Sequence, residues 1–414
     1  MAKKTFYGWY ILAVSFLILV VDGGVRFSFG VFIKPLVSEF SWERGAITLA
    51  YSLNMLVFGL CQPIAGKLLD RFGPKILFSI SSLIASTGLV LTSQISSTFE
   101  LYLYYGVVTA VGLSGISITV VSSTLSRWFR SLRSFVSGIA ISGTALGQFI
   151  FIPLIALLMG KAGWRLSWAT LGAILPLVIV PISLAVMRGT PSEIGQEPYD
   201  SNGGHHDKGN KRDESHESLS EDMSLSTTQI FCSKNFLLIA ITYFICGFQD
   251  FFFVTQLIPF ATDQGLSPQE ASNLQGIAGF LSVPGLLLFS FLSEKLGRKI
   301  PLSLIFLPRI LCFSLLLYSY GWPFIYTSAL LFGFTLLASA PLASAIMGDL
   351  YGLKNIGVLT GTIFWFHHLG GALGAYSGGF LYDLTSTYFV AFIISLCLSV
   401  IAPLTSISIV EKGS

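Results

Sequence analysis

Gly66-Lys67-Leu68-Leu69-Asp70-Arg71-Phe72-Gly73-Pro74-Lys75 joins two apolar segments, and its pattern returns as Ser290-Phe291-Leu292-Ser293-Glu294-Lys295-Leu296-Gly297-Arg298-Lys299. Each stretch places an acid, then a base, then a glycine and a lysine in a short connection. One such match could arise by chance. Two at equivalent points of two halves mark an internal repeat, and parallel two-half repeats are a mark of membrane transporters.

The surrounding segments carry the same message. Apolar runs fall at about 9–33, 46–66, 76–95, 101–125, 135–159 and 166–187, and again at about 235–260, 270–293, 300–320, 323–347, 355–380 and 387–410. About 20 apolar residues suffice to cross a bilayer as a helix. The chain is 53% hydrophobic and 11% charged, against about 25% charged in a soluble domain. The first run is too long for a cleavable signal peptide and lacks a small-residue cleavage site. Between the two sets of six lies a polar stretch, residues 189–233, whose composition cannot bury enough apolar surface to fold and reads as a flexible linker. Its His205-His206 pair reads as solvated linker. The five cysteines, Cys61, Cys232, Cys246, Cys312 and Cys397, show no CxxC spacing, so neither a disulfide framework nor a metal site is suggested.

Basic residues orient the chain. With both termini inside, the cytoplasmic side collects most of the 24 lysines and arginines; the outer side has Lys34, Arg44, Lys161 and Arg165, and Arg26 and Arg309 fall inside spans.

An ion at the centre of a spanning helix costs about 2.5–3.5 kcal/mol on insertion scales, so a functional site is the default expectation for it. Val20-Val21-Asp22-Gly23-Gly24-Val25-Arg26 carries two such residues, four apart, so one helical face can hold both. They are either a self-neutralised structural pair or a pair that opens toward a cavity. Asp250, in the seventh run, is the second-half counterpart of Asp22. Either acid could carry a coupled proton or sit in a static ion pair, Asp250 with Arg26 or Arg309.

The loop motif, its echo and the six-plus-six layout resemble the major facilitator superfamily over almost the whole chain. Arg127-Trp128-Phe129-Arg130-Ser131-Leu132-Arg133-Ser134-Phe135-Val136-Ser137-Gly138-Ile139-Ala140-Ile141-Ser142-Gly143-Thr144-Ala145-Leu146-Gly147 narrows the match: it is similar to a signature of the monocarboxylate porter and oxalate/formate antiporter families, as is Gly163-Trp164-Arg165. In it Gly138, Ser142 and Ala145 form a thin face for close helix approach. The resemblance implies an all-α membrane protein of 12 transmembrane helices in two six-helix bundles, residues 1–188 and 234–414, around a central cavity with alternating access. It implies small carboxylate substrates moved with a proton or exchanged for another anion. Family members place cations in spans 8 and 11; here span 8 has none, His368 of Phe364-Trp365-Phe366-His367-His368 sits about where the oxalate antiporter has a lysine, and Arg26 lies near a lysine of the monocarboxylate porters.

A carboxylate needs charge-assisted donors, and arginine offers a planar fork. Arg26 and Arg309, from opposite halves, are the candidate anion ligands, with His368 beside them. His367 and His368 are adjacent, so one of them at most is expected to point inward. Asn54, Gln148, Gln249 and Gln256 are polar groups inside spans that could add hydrogen bonds, and Phe29, Tyr243 and Phe364 are the candidate aromatic wall. Asp22 and Asp250 are the candidate proton-coupling acids. Asp70 and Arg71 are expected to gate, with Asp70 pairing a cation such as Arg130.

The expected function is secondary transport of small organic anions, monocarboxylates such as lactate or pyruvate, by proton symport or anion exchange in a prokaryotic inner membrane. The alternative is a facilitator for another solute: a dicarboxylate, a drug or a sugar. Nothing supports an enzyme or an ATP-driven pump: there is no HExxH, no GxxxxGK[ST] and no soluble domain. No cofactor, metal or nucleic-acid partner is expected, and the bundles, being self-sufficient, are expected as a monomer in the lipid bilayer.

Overall fold

The computed structural model describes residues 6–130, 132–200, 227–318, 321–351 and 356–410. The centre of the expected linker, with His205 and His206, lies outside the described residues. The long helices are α1 Gly8–Phe27, α2 Phe29–Phe40, α3 Arg44–Thr92, α4 Ile118–Trp128, α5 Arg133–Val186, α6 Lys234–Asp263, α7 Pro268–Leu296, α8 Phe306–Tyr318, α9 Trp322–Thr335, α10 Ala340–Tyr351, α11 Ile356–Thr385 and α12 Phe389–Ile407. Residues 98–114 add a helical run that is π-helical over Tyr102–Thr109. Among the described residues there is no strand, only an isolated bridge between Phe129 and Tyr199. Among the described residues, nine helical stretches are long and apolar enough to cross a membrane.

Local chemistry sets the breaks. Ser28 separates α1 from α2, and its hydroxyl donates back to Gly24 O at 2.5 Å, a contact that bends helices. Ser267 caps α7 in a capping box with Glu270, and Pro268 follows at the first helical position. The repeated loops share one backbone conformation. Gly73 has φ 74°, ψ 168° and Gly297 φ 77°, ψ −179°; Gly163 is the same, at φ 78°, ψ 171°. That region is open essentially to glycine alone. Helices α3 and α5 thus each consist of two rods joined at a glycine corner, where the sequence suggests separate spans.

Close helix contacts repeat in the same way. A Cβ on Gly143 or Gly147 of α5 would collide with the carbonyl oxygens of Phe16 or Val20 in α1, and one on Gly370 or Gly374 of α11 with those of Phe244 or Phe248 in α6. Small residues let helices approach in lipid, where no hydrophobic force drives them together. This corrects the thin face expected from Gly138, Ser142 and Ala145: Gly138 faces open space, and the contact falls on the next glycines along. Across the halves, α3 packs on α11 and α5 on α7.

The two ends of the molecule differ. At one end, Arg44 of α3 donates to both carboxylate oxygens of Asp263 in α6 (2.6 and 3.0 Å) and to Tyr388 Oη (2.8 Å), and lies 3.7 Å above the Tyr382 ring. Lys34 pairs with the same Asp263 at 2.7 Å. Asp383 of α11 accepts from the backbone N–H of Arg44 and Gly45 (3.0 and 2.6 Å), satisfying two orphan donors at the start of α3. All of these contacts join the two halves. At the other end, Asp70 pairs with Arg127 at 2.5 Å and Arg298 with Asp349 at 2.7 Å, each within one half.

Candidate functional site

A cavity lies on the Asp70 side of the Arg44 cluster, walled by both halves. From the first half come Arg26 of α1, Phe58 and Gln62 of α3 and Thr144 of α5; from the second, Asp250 and Phe251 of α6, Leu336, Leu337, Ser339 and Ala340, and Phe364, His367 and His368 of α11.

The two arginines stand in opposite situations. Arg26 makes no ion pair among the described residues, and its Nε and Nη2 have no hydrogen-bond partner. Its guanidinium carbon instead lies 3.7 Å above the Phe58 ring, a cation–π contact. Of the two alternatives for Asp22 and Arg26, the hydrogen-bonded pair is not formed here, and the two interact only through space. Asp22 is fully buried, and neither of its carboxyl oxygens has a hydrogen-bond partner among the described residues. Tyr51 lies within electrostatic reach of both, and Tyr105 of Arg26.

Arg309 is fully buried and compensated. Its Nη2 meets Asp250 Oδ1 at 2.8 Å. It also donates to Thr335 Oγ1 and Thr335 O (both 3.1 Å) and to Gln249 Oε1 (3.3 Å). Gln249 donates onward to Ser395 O (2.9 Å) and Ser399 Oγ (2.6 Å). The second oxygen of Asp250 meets His367 Nε2 at 3.2 Å and accepts from Cys246 Sγ at 3.5 Å. A carboxylate shared in this way is held from three sides, and Arg309 serves it rather than the cavity surface.

His368 Nδ1 donates to Phe364 O at 2.6 Å, and its ring lies 5.1 Å from that of Phe58. Phe58 is thus flanked by Arg26 and His368. Both histidines line the cavity, which corrects the expectation that one at most would point inward: the lining arc of α11 is wide enough for two neighbours.

Other candidates lie elsewhere. Tyr243 is buried and donates to Ser339 O at 2.8 Å, away from the cavity surface. Phe29 stacks on Tyr105 with ring centroids 4.7 Å apart. Asn54 donates to Tyr105 O at 2.7 Å. Gln148 is buried against Gly279, with neither side-chain atom partnered among the described residues. Gln256 donates to Ala375 O at 3.2 Å. In the expected gate, Asp70 meets Arg127 instead of Arg130. The backbone N–H of Arg130 donates to Tyr199 O at 2.9 Å, and Arg71 lies beside Phe72. The structure adds Phe58, His367 and Cys246, and at the far end the Arg44 cluster. Cys246, Asp250 and His367 bring three potential metal-ligand atoms within 4.8 Å of one another.

Comparison with known proteins agrees with the fold. The Major Facilitator Superfamily profile matches residues 15–267 and 239–411. The chain is 25% identical over 404 residues to the uncharacterized MFS-type transporter YcxA of Bacillus subtilis, covering 94% of this chain and 91% of that protein. It is 26% identical over 416 residues to monocarboxylate transporter 12 of Xenopus laevis, covering 94% and 85%. Among solved structures it superposes on a bacterial homologue of the human lysosomal transporter Spinster, inward-facing and unoccupied, with a TM-score of 0.70, 16% identity and full coverage of both chains. The nucleoside transporter NupG gives 0.72 at 14% identity, covering 97% of this chain and 99% of that one.

Proposed function

Because the chain belongs to the Major Facilitator Superfamily, we propose that its cavity carries small organic anions, monocarboxylates such as lactate or pyruvate, across a cell membrane by alternating access. The chain is a multi-pass membrane transporter, not an enzyme. The observation that carries the substrate class is the unpaired guanidinium of Arg26 on the cavity wall. A carboxylate would engage this guanidinium as a fork once the side chain turns to present Nε and Nη2, which are unpartnered but buried in this state. The rings of Phe58, Phe251 and Phe364 would receive the short apolar end, and His368 would bound the site opposite Arg26. The relatives named as monocarboxylate transporters support this reading.

In this scheme Asp250 and Asp22 handle the coupled proton. Asp250 is held between Arg309 and His367, so a proton arriving at the Asp250–His367 contact changes the charge facing the anion. Asp22, lacking a partner, is the first-half acid through which Arg26 would sense its own occupancy. We place the Asp70 end in the cytoplasm of a prokaryotic cell, with both termini inside, from the distribution of basic residues. The Arg44 cluster then closes the outer end. Arg44 and Asp263 hold this state, and Asp70, Arg71 and Arg130 act when the opposite end closes.

The test is counterflow in proteoliposomes with lactate, pyruvate, formate, oxalate, a sugar and a nucleoside. Monocarboxylates are expected to exchange; movement of the neutral solutes alone sinks the reading. Charge-assisted hydrogen bonds contribute about 1.5–3 kcal/mol. Arg26→Ala is therefore expected to weaken apparent anion affinity about tenfold to hundredfold with normal membrane insertion, and unchanged affinity removes Arg26 from the site.

A further inference from the structure

We propose that Cys246, Asp250 and His367 form a binding site for a divalent cation of the zinc class, entered from the cavity. The donor set is a thiol, a carboxylate and an imidazole, the mixture that zinc takes. Zinc bonds of about 2.0–2.3 Å in tetrahedral geometry put neighbouring ligand atoms about 3.3–3.6 Å apart. Asp250 Oδ2 lies 3.5 Å from Cys246 Sγ and 3.2 Å from His367 Nε2, so two edges of such a tetrahedron are nearly in place before any ion arrives.

The framework is held on both sides. Cys246 and Asp250 are four apart on α6 and share a face. His367 comes from α11, whose backbone at that residue rests directly on Gly247 of α6. All three ligand atoms lie within 4.8 Å of one another, so the third edge is the one that has to close around an ion. Asp250 keeps Arg309 on Oδ1 at 2.8 Å while Oδ2 faces the other two ligands, and outer partners that fix a ligating carboxylate favour metal binding. Cys246 Sγ also lies 3.3 Å from Ser339 Oγ, a hydroxyl that can turn to donate to a thiolate. Thiolate and carboxylate set two negative charges against the two of the ion and the one of Arg309, whose Nη1 also lies 3.7 Å from Cys246 Sγ; an anion in the fourth position would cancel the remaining charge, and the thiol proton leaves to solvent. Asp250, His367 and Ser339 line the cavity, which supplies the route in and leaves a fourth position for water or a substrate carboxylate.

An ion here ties α6 to α11 and occupies the oxygen of Asp250 that His367 otherwise meets. Reversible block of transport by zinc follows, whatever solute is carried. The test does not depend on transport. The full chain, untagged and purified in detergent, is titrated with Co2+ and then with Zn2+. The expected result is thiolate-to-cobalt charge-transfer absorption together with the intense visible bands of tetrahedral cobalt, bleached by zinc. Cys246→Ser is expected to abolish the charge-transfer band and to weaken zinc binding by at least about tenfold. His367→Gln, which checks the site without touching the thiol, should lose the tetrahedral bands. A linker variant with His205→Ala and His206→Ala should keep both signals. Retention of the bands in monodisperse Cys246→Ser, loss in the linker variant, or a purely octahedral spectrum overturns the proposal.

Discussion

The two ends of the molecule use the same chemistry for different work. At the Arg44 end, one arginine, one lysine and two aspartates tie the halves together. At the Asp70 end, the ion pairs Asp70–Arg127 and Arg298–Asp349 each stay within a half. The difference in burial is as large as the difference in reach. Arg44 is 8% exposed, whereas the Asp70 side chain is 74% exposed. A buried, multiply bonded cation between halves acts as a seal; a solvated pair inside a half anchors a loop. An ion pair's place in the fold therefore says more about its role than its presence in the sequence.

The strongest way to break the comparison is Asp263→Asn. Removing one partner of a buried pair costs about 3–5 kcal/mol, and the partial exposure of Asp263 lowers this to about 2–4 kcal/mol. The sealed state should lose population more than tenfold, read as a longer distance between spin labels placed on the two halves at the Arg44 end. An unchanged distance distribution would show that packing alone closes that end.

Asp383→Ala should act in the same direction but less, by about 0.5–2 kcal/mol, the usual range for a lost helix cap. Its signature is added fraying of the first turn of α3, seen as faster amide exchange at Arg44 and Gly45. Asp70→Asn should act least. An exposed pair contributes about 0–1 kcal/mol, so thermal stability should barely move and the Arg44 end should stay sealed. A shift as large as that of Asp263→Asn would erase the distinction between the ends.

Much of the architecture was legible because a repeat is visible in sequence. The matched loops placed Gly73 and Gly297 in corresponding corners, and both adopt the glycine-only backbone. Arg26, His368, Asp250 and Phe364 were legible as charged, titratable or aromatic residues inside apolar runs, and all four meet at one cavity. The Arg44 cluster was not legible as a unit. Arg44 reads as one of a few outer-side charges, while Asp263 and Asp383 lie 219 and 339 residues away along the chain. Tyr243 and Gln249 misled for a related reason: in a membrane, core and lipid faces are both apolar, so periodicity does not say which way a polar residue turns. Tyr243 turns to a backbone carbonyl and Gln249 to Arg309. Adjacency on a helix argues against His367 and His368 facing the same way, yet the lining arc of α11 holds both histidines.

The unpaired state of Arg26 has an electrical consequence. A guanidinium with no ion pair among the described residues, its nearest acid Asp22 reaching it only through space, is coupled to the voltage across the membrane whenever Asp22 is protonated, and one elementary charge crossing the full potential exchanges about 2.3 kcal/mol per 100 mV. On the proposed reading a bound carboxylate would cancel that charge, and an empty cavity would leave it in the field. The return of the empty carrier should then be the voltage-dependent limb of the cycle, and steady flux should respond to membrane potential even when the solute and its proton together are neutral.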